Sequence, residues 1–196
     1  MPNSTAPGPF EFYKKRFEIE NNLTRNILKA IPADKLDYRP HERSPSTGQI
    51  AWTIVRGLYV RVDMASQCAS DVIRDPHPDM AEIFERFADT SRRHTAQLES
   101  LLAEQWARVG QLRVGDRVAL ELPAGDIVWL FHFDEIHHRG QLSAYLRPMI
   151  ESPAQMSITI RKPNTNACDT DDLTSIARPA SRPAGNGKPA SLISFD

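Results

Sequence analysis

The stretch that decides the fold is Asp134-Glu135-Ile136-His137-His138-Arg139-Gly140-Gln141-Leu142-Ser143-Ala144-Tyr145-Leu146-Arg147-Pro148. Residues three or four apart on an α-helix lie on one face. Asp134, His138, Gln141 and Tyr145 therefore share a face with Ile127 and Phe131 upstream, and the spacing predicts one helix from about Gly125 to Met149. A carboxylate and an imidazole among apolar neighbours such as Ile127, Phe131 and Leu142 are costly to bury without a partner or a cavity. Two readings follow. Asp134 accepts a hydrogen bond from His138 and closes a core network, or the pair opens onto a polar pocket. His137, rotated by about 100° from His138, is assigned to the surface or to a supporting role. His132, turned by about 200° from Asp134, is set aside.

Outward from this helix, three further stripes are readable. Phe12, Ile19, Leu23, Ile27 and Ala30 recur at helical spacing up to Ile31, where Pro32 stops the helix. Prolines at 32, 40 and 45 then make a loop. Ser46 and Gln49 form the S-x-x-Q pattern of a capping box, and the helix it starts presents Ile50, Thr53, Gly57, Val60, Met64 and Cys68. After the break at Asp75-Pro76-His77-Pro78, Met80, Phe84, Phe87, Ser91, His94, Leu98 and Leu101 mark a helix reaching about Trp106. Between Gln111 and Pro123, Gly115-Asp116 between alternating apolar residues reads as a short hairpin or extended excursion. The expected fold is all-α: an up-down-type four-helix bundle over residues 10–150, with a flexible lead-in at 1–9. Residues 151–196, rich in Pro, Ser, Thr, Asn, Ala and Gly, bury too little apolar surface to offset their ordering entropy and are expected to be mostly disordered.

Composition narrows the function. With 24 basic and 25 acidic residues and a net charge of −1, the chain has no electrostatic footprint for nucleic acid or an anionic membrane. No run approaches the length needed to span a bilayer, and two cysteines, Cys68 and Cys168, support neither a disulfide framework nor a cysteine-rich zinc site. The chain reads as cytoplasmic, with a small-molecule substrate and a possible homodimer.

Two blocks carry a resemblance to a known family. The run from Asp134 to Pro148 resembles the last-helix signature of DinB/YfiT-like proteins, and Ile31 to Ser44, continuing through Gly48-Gln49-Ile50-Ala51-Trp52, is similar to that family's connection between its first two helices. In that family a divalent metal is held by a histidine on the second helix and two ligands on the fourth. The resemblance places the fourth-helix ligands on Asp134 and His138. It places the second-helix ligand on Thr53, where the family usually has histidine, and a neutral hydroxyl is a poor ligand for zinc or nickel at neutral pH. A divalent metal, Zn or Ni, is thus expected to be absent or weakly held by Asp134 and His138. His94, on the inward stripe of its helix, is a possible substitute ligand, although a lone inward histidine is more often a hydrogen-bonded core residue. Arg139 suits an anionic substrate or a carboxylate clamp, and Arg147 complements a helix C-terminus.

The leading expectation is a small-molecule enzyme of a biosynthetic pathway. In it Asp134 and His138 are a metal-independent acid/base pair for isomerisation or cyclisation, beside Thr53, Trp52, His94, Gln141 and Tyr145 as substrate-binding residues. The alternatives are a metal-dependent hydrolase or thiol S-transferase, which the resemblance implies, and a non-catalytic ligand-binding or dimerisation module.

Overall fold

A computed structural model describes residues 8–149. Four long helices make the bundle: α1 (Pro9–Lys29), α2 (Thr47–Gln67), α3 (Met80–Ser100) and α5 (Ala124–Met149). A single-turn helix, α4 (Ala103–Trp106), and three short strands, β1 (Ala69–Asp71), β2 (Val109–Val114) and β3 (Arg117–Pro123), fill the connections. α2 packs against both α3 and α5, and α1 closes the bundle against the same two helices.

Local chemistry fixes the helix starts. Pro9 occupies the first turn of α1, where its missing N–H costs nothing. Ser46 and Gln49 form the expected capping box at α2: the Gln49 N–H donates to Ser46 Oγ at 3.2 Å and the Ser46 N–H to Gln49 Oε1 at 2.7 Å. Asp79 caps α3 by accepting from the Glu82 N–H at 2.9 Å. α5 starts under Trp106. A Cβ on Gly125 would lie 2.0 Å from the indole Nε1, so only glycine lets the ring close over the helix start.

The hairpin stands as expected, with Gly115 at φ 58° in the turn between β2 and β3. β1 was not anticipated. It pairs in parallel with β2, Ser70 opposite Leu112, and is too short to leave a pattern in the sequence. The third helix ends at Ser100 rather than near Trp106, since the chain turns extended at Leu101 before the separate turn of α4.

One stripe is corrected outright. Phe12, Ile19 and Leu23 of α1 are about half exposed, whereas Phe10, Tyr13, Phe17, Glu20, Thr24 and Leu28 form its buried face. The apolar periodicity misleads because that face carries two polar residues with partners on other helices. The expectations for residues 1–7 and 150–196 lie outside the described residues.

Candidate functional site

α5 buries Ile127, Val128, His132, Glu135, Leu142 and Leu146. Asp134 and His138 sit beside that face, not within it: the side chains of Asp134 and His138 are 42% and 16% exposed. The face expected for Ile127, Phe131, Asp134 and His138 is thus only in part the buried one: Ile127 is in the core, and Phe131, Asp134 and His138 lie at its edge. His138 Nε2 is 3.4 Å from Asp134 Oδ1, and Nδ1 meets Gln141 Oε1 at 2.8 Å. An amide oxygen only accepts, so Nδ1 carries the proton in this arrangement. Burial disfavours the charged ring, but Asp134 and then Gln141 hold it, and the His138 pKa lies above its ordinary value.

On α2, Thr53 and Arg56 are bonded to one another. The Thr53 hydroxyl donates to the Gln49 carbonyl at 2.9 Å and accepts from Arg56 Nη2 at 3.0 Å. Arg56 Nη1 donates to the Ile73 carbonyl at 2.9 Å, and the Arg56 charge is felt at His138, where it opposes protonation. Burial, reinforced by Arg74, lowers the pKa of Arg56 itself.

The other expected substrate contacts divide. Gln141 belongs to the site through His138. Tyr145 lies further along the same helix, with its hydroxyl donating to the Pro45 carbonyl at 3.3 Å and its ring edge-on to Tyr38. Trp52 is buried and turned elsewhere, donating from Nε1 to Asp75 Oδ1 at 3.0 Å and packing edge-on against Tyr59. His94 has no part in the Asp134–His138 pair. It belongs to a separate, fully buried network.

That network links four helices. Arg61 of α2, with no exposed surface, is ion-paired with Glu135 and donates to His132 Nδ1 at 3.0 Å. Thr24 of α1 donates to Glu135 Oε1 at 2.5 Å. The Tyr13 hydroxyl and His94 Nε2 are 2.9 Å apart. Arg139 clamps Glu20 of the same chain, which settles it as a carboxylate clamp within the fold. Burial, then the Arg61 charge, pushes His94 down to about 3 and His132 down to about 4. Burial pushes Tyr13 up to about 12. Burial works against the Glu135 carboxylate, but Arg61 beside it holds its pKa below the ordinary value. His132, set aside in the sequence, is thus an interior residue, and Arg61 and Glu135 were missed. The available signal was an arginine one turn beyond Gly57, among the Ile, Val, Leu and Met residues of α2.

The profile of the DinB superfamily matches residues 16–142. The chain belongs to the DinB superfamily. This member is similar to a solved DinB-like protein from Bacillus subtilis, with 22% identity over 71% of this chain and 94% of that one and a TM-score of 0.56. It is also similar to a DinB-like protein from Bacillus cereus ATCC 10987, with 18% identity over 71% of this chain and 91% of that one and a TM-score of 0.58. At these identities the likeness shows the shared fold. No curated protein matches the chain. Among the described residues of this DinB-superfamily chain, no three His, Cys, Asp or Glu side chains gather closely enough to hold a metal ion, and no helix is long and apolar enough to cross a membrane.

Proposed function

We propose that this DinB-superfamily chain is a metal-independent acid/base enzyme for a small organic substrate, with His138 as the proton-carrying group and Asp134 as its partner. The observation that supports it is the setting of the His138 ring. Gln141 fixes Nδ1 at 2.8 Å while Nε2 makes only a loose 3.4 Å contact with a half-exposed carboxylate. Nε2 is then the nitrogen a substrate proton reaches, in place of that loose contact. It takes the proton as the ring becomes imidazolium, Asp134 stabilises the charge, and the same nitrogen returns the proton to a second atom of the substrate. That is the proton balance of an isomerisation or of the closing step of a cyclisation.

The residues present do not fit the family's metal. A divalent site needs about three good ligands, and at the second-helix position the Thr53 hydroxyl is committed to Gln49 and Arg56, with a guanidinium charge beside it.

The test is deuterium wash-in from D2O at carbons next to a carbonyl, followed by proton NMR over a panel of small 2-oxo and 3-oxo acids. Wild type should accelerate exchange in at least one member, and His138→Ala should reduce that rate by at least about 100-fold, the scale of general acid/base catalysis. Equal rates for the two proteins would contradict the assignment.

A further inference from the structure

The guanidinium of Arg56 is half-buried and its charge is felt at His138, yet both hydrogen bonds it makes are to neutral oxygens, the Ile73 carbonyl and the Thr53 hydroxyl. Among the described residues it makes no ion pair within 4 Å. Asp75, the carboxylate whose charge bears on it most, is held by the Trp52 indole N–H at 3.0 Å. The two arginines of the central network are treated differently: Arg61 is paired with Glu135 and Arg139 with Glu20. A partly desolvated cation without an anion in direct contact is an unfavourable arrangement that a bound anion relieves. A guanidinium carries five N–H donors in a flat fork that matches a carboxylate, and only two are used here.

We propose that Arg56, with Thr53 beside it and His138 within reach of its charge, forms a binding site for a small carboxylate, and that its fixed positive charge excludes a divalent cation from this face. Arg56 thereby supplies from the chain the charge that a metal ion would otherwise bring to the substrate, and it orients a carboxylate-bearing molecule with its reacting carbon toward His138. The assignment of the substrate class rests on the acid/base reading above. The binding site itself does not, because it is read from the unpaired guanidinium.

The probes are pyruvate and zinc chloride, followed by amide chemical shifts and calorimetry. Pyruvate should bind wild type with shifts centred on α2 and α5. Arg56→Gln should weaken it at least about 10-fold, a little more than 1 kcal/mol, and Arg56→Lys should fall between. Wild type and Thr53→His should both bind zinc weakly, whereas Thr53→His/Arg56→Gln should bind it at least about 100-fold tighter than Thr53→His alone, the gain of a third ligand no longer opposed by a cation. Arg56-dependent pyruvate binding without any deuterium exchange would leave this site standing and sink the catalytic reading. Pyruvate binding that is absent, or unchanged in Arg56→Gln, would overturn the carboxylate site. Zinc bound as tightly by Thr53→His as by the double variant would overturn the exclusion.

Discussion

Replacing Glu135 by Gln tests what holds the bundle together at its centre. The substitution keeps the shape of the side chain and removes its charge. Arg61, which has no exposed surface, then loses its ion-pair partner, and its remaining contacts, including His132 Nδ1 at 3.0 Å, are neutral. Arg61 Nε already lacks a hydrogen-bond partner, so the loss adds to an incomplete set of bonds. Breaking one side of a buried ion pair costs about 3–5 kcal/mol. For a domain of this size each kcal/mol lowers Tm by roughly 2–4 °C, so the expected drop is on the order of 10–15 °C. Thermal and urea unfolding followed by circular dichroism at pH 7.5 reads both quantities. Removing both charges, in Arg61→Met/Glu135→Leu, should recover at least half the loss, because apolar replacement of a whole buried pair is often close to neutral. A loss below about 1 kcal/mol in Glu135→Gln would refute the view that Arg61 depends on that carboxylate.

The buried histidines predict acid lability. His94 and His132 are neutral in the fold, held down to about 3 and about 4, but take up a proton near pH 6.5 when unfolded. The unfolded state therefore binds more protons below that pH, and stability should fall from pH 7.5 to pH 5 by about 2 kcal/mol per ring. Urea midpoints across that range check this, and a flat profile would contradict it. Gly125→Ala should destabilise by about 1–3 kcal/mol, since its Cβ meets the Trp106 indole, and Trp106→Ala in the same background should remove most of that penalty. Unchanged stability in Gly125→Ala would mean that the ring does not close on the helix start.

How far the sequence could be read depended on whether interior faces were apolar. The capping box at Ser46, the proline breaks and the Gly115-Asp116 turn act through local backbone chemistry, and each appears where the residues imply. The stripe on α3 holds because Met80, Phe87, His94 and Leu98 do face inward. α1 and α5 misled because their inward faces carry Glu20, Thr24, His132 and Glu135, whose burial is intelligible only with Arg61 and Arg139 on the table. Periodicity on one helix carries no information about a partner more than 70 residues away. The same limit hid Arg56. Spacing brought Asp134, His138 and Gln141 together, but the cation whose charge acts on His138 comes from another helix.

The central claim is that Asp134 and His138 move a proton as a unit without a metal. The most direct measurement is the deuterium wash-in rate of wild type, Asp134→Asn, His138→Ala and the double variant, each with and without EDTA. Each single variant should lose at least about 100-fold, the double should be little slower than the slower single, and the chelator should change no rate. Losses that multiply in the double variant, or a wild-type rate abolished by EDTA and restored by zinc, would contradict the account.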